Sequence, residues 1–343
     1  MLIREKYEFY KSNNNQRFEK IRQNEEKLNE LFIEKYRLHN EIQPDVERKN
    51  VSAKYVCDNI LDIPEDLRQS KNIIFRIDVI KDLLSYIIGC SFGRYSPYKK
   101  GLQFTGGVFN WNDYFVDLLE HKGLSIKDIR KVANSFLPSE ENCILNTDND
   151  YGDNRMIDFV VDFVKFVYGL QDLEENLKFI ANSLDEKSTD TPRNVIREYL
   201  ANDFFKDHCK KYQNRPIYWQ FDSGKNGGFR ALMYLHRYDE NTIPTARLSY
   251  LHDIQWKYEQ EKDRLEKLIE NTTITSEKVK ARKALELIDK QILECKAYDE
   301  VLNHAANMRI SIDLDDGVKV NYQKLQKLDG DKDKNILSTY LKF

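Results

Sequence analysis

A mainly α protein, a helical assembly with a small β-hairpin element and a C-terminal antiparallel helical hairpin, is what three features of the sequence predict. Apolar residues recur at helical spacing through most of the 343 residues, glycine and proline are scarce at 13 and 7, and one stretch alone alternates as a strand does. Glycine and proline interrupt helices, so their scarcity leaves room for long ones. Hydrophobic residues at 41% and charged residues at 32% suit a soluble, charge-rich fold rather than a disordered chain.

Three segments are expected: residues 1–70 as a long helix and linker, 71–249 as a central helical domain with a hairpin near 215–236, and 250–343 as a helical hairpin and tail. In the first, Phe18, Ile21, Leu28, Leu31, Phe32, Ile33, Tyr36 and Ile42 form a helical stripe, and Pro44 is its predicted stop. A second helix carries Ile73, Ile74, Ile77, Ile80, Leu83, Leu84, Ile87 and Ile88 on a wide apolar face, which predicts burial. The loop from Gly89 follows, with Arg94, Lys99 and Lys100 beside Tyr95 and Tyr98. Short helices are expected around 114–120 and 125–135.

Helical period resumes at Ile157, Val160, Val161, Val164 and Val167, breaks at Gly169, and continues through Leu173, Leu177, Ile180 and Leu184. Thr191-Pro192 predicts a helix start, because threonine accepts an orphan amide and proline at the first position has none to lose. That helix is expected to run through Phe205. Beyond it, Ile217, Trp219 and Phe221 alternate with Tyr218 and Gln220, and Ala231–Leu235 is a second apolar run. The Asp222-Ser-Gly-Lys-Asn-Gly-Gly between them predicts two strands joined by a Gly-rich turn. Residues 250–270 and 276–308 then form the helical hairpin, with Ser276 as the predicted cap of its second helix.

Local charge matters more than the net −3. Lys206, Lys210, Lys211, Arg215, Lys225, Arg230, Arg237 and Arg247 stand against Asp207, Asp222, Asp239 and Glu240, a surplus of four, and seven aromatics interleave with them. This composition suits phosphate contacts with base or sugar stacking, and equally a hairpin core whose charges are solvated. The Gly224-Lys-Asn-Gly-Gly turn has the makings of a phosphate cradle, yet lacks the Walker spacing and is read as a hairpin turn. Arg94 is compatible with phosphate binding or with a tie to a buried carboxylate.

Several chemistries are disfavoured. Pro44-Asp-Val-Glu-Arg-Lys matches a metal-nuclease pattern only superficially, since its acids sit two residues apart just after a helix. Asp313-Leu-Asp-Asp-Gly places Gly317 and Lys324 where a calcium loop needs acids. The six histidines show no paired ligand spacing, and no metal site is expected. The five cysteines (Cys57, Cys90, Cys143, Cys209, Cys295) are scattered without a CxxC pair, which suits reduced, buried thiols in a cytoplasmic protein. No apolar run is long or uncharged enough for a membrane span, and the charged N-terminus predicts no export. No two prolines are adjacent, so the Asn/Asp-Pro-Pro-Tyr/Phe loop of base-amino methyltransferases is missing, and no glycines are spaced GxG as an adenosylmethionine-binding fold would place them. No catalytic or cofactor-binding residue is therefore assigned.

In order along the chain, Leu28-Asn-Glu-Leu-Phe-Ile-Glu-Lys-Tyr-Arg-Leu-His-Asn-Glu-Ile, Ile88-Gly-Cys-Ser-Phe-Gly-Arg-Tyr-Ser, Asn176-Leu-Lys-Phe-Ile-Ala, Asp203-Phe-Phe-Lys-Asp-His, Arg215-Pro-Ile-Tyr-Trp-Gln-Phe, Tyr234-Leu-His-Arg-Tyr and Ile312-Asp-Leu-Asp-Asp-Gly-Val-Lys-Val-Asn-Tyr resemble the C-terminal part of the PglX family. These are the adenine-specific DNA methyltransferases of bacterial BREX phage-exclusion systems. The resemblance covers nearly all of the chain. It implies a catalytic, S-adenosylmethionine-binding domain that precedes this portion in the complete enzyme and is missing here. The expectation is a non-catalytic portion that engages double-stranded DNA and contacts a methyltransferase half or other BREX proteins, with Arg94, Lys99, Arg215, Lys225, Arg230 and Arg237 as candidate phosphate contacts. The alternative is a structural interaction module, or a split-gene subunit completing the enzyme in trans, docking through residues 250–308.

Overall fold

The computed structural model describes residues 1–106, 136–146, 155–326 and 335–341, and it is mainly α, as the periodicity predicts. The short helices expected at 114–120 and 125–135 lie outside the described residues. Contacts group the chain into two units, Met1–Leu84 with Tyr168–Pro192, and Ser85–Val167 with Arg193–Phe343. This grouping follows contact, whereas 1–70, 71–249 and 250–343 followed chain order.

In the first unit, helix α1 (Ile3–Tyr36) stops six residues short of Ile42. The cause is local: Arg37 takes a left-handed φ of 57°, the Leu38 amide reaches back to the Ile33 carbonyl at 2.9 Å, and the chain doubles back so that Asn29 donates to the Pro44 carbonyl at 3.1 Å. Strands β1 (Tyr55–Cys57) and β2 (Ile73–Phe75) pair in parallel. Ile73 and Ile74 are thus strand residues, a correction to the helix read through them. Helix α2 (Arg76–Ser91) starts after them because the Asp78 carboxylate accepts the Phe75 amide at 3.1 Å, half of a capping box. Asn15 of α1 both donates to and accepts from the Val56 backbone, at 3.0 and 2.8 Å, so a side-chain amide serves β1 as a neighbouring strand would. Phe18, Val51 and Leu67 form the centre of this core.

The nuclease-like pattern lies here and does not converge. Asp45 and Glu47 are exposed, the Glu47 carboxylate pairs with Lys49 at 2.8 Å, and Arg48 turns to Glu19 and Asp66. Among the described residues, no group of three potential ligands is close enough to hold a metal ion.

In the second unit, a three-stranded sheet is the centre. Its strands are β3 (Cys143–Leu145), β4 (Tyr218–Asp222) and β5 (Arg230–Tyr234), in the order β3-β5-β4 and all antiparallel. The predicted hairpin is β4–β5, with Tyr218 opposite Tyr234 and Asp222 opposite Arg230. β3 was not foreseen, since three residues are too few to show alternation. The outer edge of β4 is also covered: the Ser338 amide donates to the Gln220 carbonyl at 2.8 Å. With both sides and both faces occupied, Tyr218, Trp219, Phe221, Ala231, Leu232, Met233 and Tyr234 are at most 2% exposed.

The helices of the second unit that accompany the sheet include α3 (Met156–Tyr168), α5 (Pro192–Asn202), α6 (Phe204–Lys211), α7 (His252–Asn271), α8 (Thr275–Met308) and α9 (Val318–Gln326), whereas α4 (Leu173–Leu184) belongs to the first unit. The helix expected through Phe205 breaks at Asp203, whose φ of −120° lies outside the helical range. α8 begins at Thr275, so Ser276 lies inside it and not at its cap. Tyr250, Tyr258, Tyr298 and Tyr322 send their hydroxyls to backbone carbonyls of Cys143, Gly228, Ile336 and Ser338, so large apolar rings and satisfied polar tips together fasten helices to the sheet and its loops. All five cysteines are buried and unbridged, and no helix is long and apolar enough to cross a membrane among the described residues.

Candidate nucleic-acid interface

The Gly-rich loop between β4 and β5 holds an anion, and that anion belongs to the protein. Left-handed backbone at Gly224 (φ 139°) and Gly227 (φ 62°) turns several donors toward one point. The carboxylate of Glu294, on α8, accepts from the Ser223 hydroxyl at 2.7 Å, the Asn226 amide at 2.9 Å, the Asn226 side chain at 2.8 Å and the Gly228 amide at 3.0 Å. Burial works against the ionised form, but these donors outweigh it and hold the carboxyl below its ordinary range. Gly228 itself lies so close to α8 that an added Cβ would meet the Cys295 sulfur and the Gln291 carbonyl oxygen at 2.9 Å each. The loop is closed against the helix, and its lysine, Lys225, is left exposed.

Sequence reasoning found the loop but missed its ligand. Glu294 lies 66 residues beyond Gly228, and nothing in a helical charge pattern distinguishes it from its neighbours. A cavity of about 680 Å³ beside the loop is lined by Asp222, Glu294 and Glu300 as well as Lys225 and Arg230. Three carboxylates against two cations leave it ill suited to a free phosphate.

Of the six candidate cations, Arg94, Arg230 and Arg237 use donors inside the fold. Arg94 is half-buried: its Nη1 donates to the Tyr234 hydroxyl at 3.0 Å, and its guanidinium carbon lies 5.5 Å from the Tyr95 ring centre. Burial opposes its charge, while hydrogen bonds from Arg94 to Tyr95 and Tyr234 raise its pKa. Where a tie to a buried carboxylate is one expectation for it, the fold supplies phenol oxygens. Arg237 donates to the Ser139 and Glu140 carbonyls at 3.1 and 2.9 Å, joining the end of β5 to the segment that leads into β3, and burial lowers its pKa. Arg230 bonds Asp222 at 3.4 Å across the hairpin and Asn202 at 3.3 Å.

Lys99, Arg215 and Lys225 are exposed. Arg215 follows two consecutive non-glycine residues in left-handed backbone, Gln213 (φ 52°) and Asn214 (φ 60°), which end α6 through an Asn214 amide bond to the Cys209 carbonyl at 2.8 Å. Partners from elsewhere reduce the local surplus of positive charge: Arg247 makes a two-pronged pair with Asp299 at 2.8 and 3.0 Å, and Lys206 pairs with Asp203 at 3.1 Å.

Five of the seven interleaved aromatics are core, and Tyr212 and Tyr238 are half-buried. Tyr218, Trp219, Phe221, Phe229 and Tyr234 are at most 2% exposed, so none offers a free face for stacking a base. Tyr218 stacks on Phe92 and on His208, with ring centres 5.3 and 4.6 Å apart. The Nε2 of His208 accepts the Ile217 and Tyr218 amides at 3.1 and 3.2 Å, which requires a neutral ring. Burial, with help from Arg94 and Lys211, pushes its pKa down to about 3.

Asp313 is likewise structural. Its side chain accepts the Asp315 amide at 2.9 Å at the start of a single helical turn, and Lys324 pairs with Asp316 at 2.7 Å, where a calcium loop would place its closing acid.

The chain is 42% identical over 315 residues, 90% of its length, to the adenine-specific methyltransferase PglX of Lacticaseibacillus casei (strain Zhang). It is 37% identical over 259 residues, 74% of its length, to the adenine-specific methyltransferase BrxX of Escherichia coli O9:H4 (strain HS). No family model matches. The matched parts are 23% and 20% of those relatives, so the chain spans less than a quarter of their length. By this homology the chain belongs to the PglX family of adenine-specific methyltransferases.

Proposed function

We propose that the chain is the non-catalytic C-terminal portion of a BREX-type, site-specific adenine methyltransferase acting in phage defence in the cytoplasm, and that it contributes DNA engagement and partner contacts. The observation that carries this reading is homology across nine-tenths of a chain that is itself under a quarter of its relatives' length. It agrees with a sequence that has neither the Pro-Pro loop nor a GxG turn. On this reading S-adenosylmethionine binds elsewhere in the complete enzyme, and methylation of the adenine amino group needs that other part.

Double-stranded DNA is met through its phosphates by Lys99, Arg215 and Lys225, whose side chains are exposed. Arg94, Arg230 and Arg237 act behind them by fixing the loops. The test is DNA retention as a function of salt. Reversing the charge of Lys99, Arg215 and Lys225 weakens retention and lowers the salt slope by about one for each phosphate no longer neutralised. An unchanged slope sinks the DNA role. Adenine methylation by the isolated chain sinks the non-catalytic assignment.

A second reading is a structural interaction module, or a split-gene subunit that completes the methyltransferase in trans. It is favoured by the inward use of three of the six candidate cations and by the burial of the aromatic rings. Salt-insensitive association with a methyltransferase half, without DNA retention, distinguishes it.

A further inference from the structure

The C-terminal third of α1 carries an exposed apolar face. Leu28, Leu31, Phe32 and Tyr36 are 53, 62, 56 and 62% exposed. Offsets of three, four and eight residues put all four on one side of the helix. The Phe32 and Tyr36 rings lie parallel, 6.1 Å apart and 9° from coplanar, so together they present one aromatic surface. Ile33, on the opposite side of the same turns, is 7% exposed and anchors the helix. Exposed apolar residues standing singly are ordinary; four in one stripe, two of them aromatic, mark an interaction surface. Residues 250–308 offer less, since their exposed large apolar residues, Trp256, Ile274, Val279, Leu287, Leu293 and Met308, do not recur at three- and four-residue spacing.

The occupant follows from the relatives' length. In them the homologous segment is joined to more than three-quarters of a longer chain. Within one polypeptide, tethering supplies a high effective concentration, so the remainder of the chain occupies an apolar face of the segment in preference to a free partner. Charged residues of both signs, Lys27, Glu30 and Glu34, border the stripe and Lys35 lies within it, the mixed polar and apolar make-up of a protein contact rather than of a phosphate track. We propose that the Leu28–Tyr36 stripe is the seat of the methyltransferase portion of a PglX-type enzyme, met there by an apolar groove or helix face. This rests on the proposed role as part of such an enzyme, and it moves the docking surface from residues 250–308 to α1.

The test co-expresses the tagged full chain with L. casei PglX shortened by the segment homologous to this chain, and reads retention at high salt. The variant carries Leu31→Asp with Phe32→Asp; both positions face solvent, and an unchanged melting temperature confirms the fold. Retention by the wild type and a loss of about tenfold or more in the variant is expected. Solubility of the shortened relative with the wild type but not with the variant supports the inference equally. Equal retention by both overturns the stripe while leaving a partner contact elsewhere. No retention or rescue by either overturns the partner reading itself. A wild-type dimer that the variant converts to monomer assigns the stripe to a second copy and overturns the inference.

Discussion

The carboxylate of Glu294 and the amide of Gly228, 3.0 Å apart, join the long helix α8 to a hairpin loop 66 residues earlier in the chain. With Ser223 and Asn226 the loop surrounds one carboxylate much as a nest surrounds a phosphate. Replacing Glu294 by alanine removes the shared acceptor from four donors at once. Glu294→Ala is expected to lose about 2 kcal/mol in denaturant unfolding, within the range for partly buried charge-assisted bonds. Because this carboxyl lies below its ordinary value, its contribution is complete above about pH 4.5 and fades as the pH falls further. The variant's acid limb is correspondingly flatter; an identical acid limb refutes the latch.

His208 gives a second, separable pH dependence. Its pKa falls to about 3 in the fold against an ordinary 6.5. The unfolded chain therefore binds a proton first as the pH drops, and stability declines below pH 6.5. Between pH 6.5 and 5 the decline amounts to about 2 kcal/mol. His208→Asn, which keeps an acceptor but does not titrate, is expected to lose that slope. Unfolding midpoints of the two proteins across that interval decide the matter.

Gly89 tests the packing behind Arg94. A Cβ there would come within 2.4 Å of the Tyr95 ring. Glycine to alanine inside a helix ordinarily stabilises by about 1 kcal/mol; here the clash reverses the sign, and a loss of about 1–3 kcal/mol is expected. Tyr95→Ala made together with Gly89→Ala relieves the clash, so the double variant is less destabilised than the two single losses added together. Additive losses would show that the ring does not set the requirement.

What could be read from the sequence was whatever a local period or turn carries. The β4–β5 hairpin showed itself because Ile217, Trp219 and Phe221 alternate and glycines follow, and α3 to α5 because Gly169 and Thr191-Pro192 mark their ends. β3 could not be read, since Cys143–Leu145 is strand only by pairing with Ala231–Met233. Ile73 and Ile74 were misplaced because a half-buried apolar strand running straight into a helix looks like one apolar face. The candidate site was legible as a collection of cations and not as geometry. Arg94 and Lys225 look alike in sequence, and only long-range partners, Tyr234 for one and Glu294 for the loop of the other, separate a buried brace from an exposed charge.

That separation makes the last prediction. Arg237 reaches two carbonyls of the segment leading into β3, and Arg94 reaches the Tyr234 hydroxyl at the end of β5. Removing either leaves half-buried acceptors unmatched, so Arg237→Ala and Arg94→Ala are each expected to lower stability by about 1–3 kcal/mol. Arg215→Glu and Lys225→Glu break no such bond and are expected to move the unfolding midpoint by less than about 0.5 kcal/mol equivalent. If these residues meet phosphates, their order reverses in DNA retention: the exposed pair lowers the salt slope, and the buried pair leaves the slope intact while the fold persists. Measuring both quantities on the same four variants therefore distinguishes charges that contact DNA from charges that hold the loops, and a parallel ranking in the two assays contradicts the division.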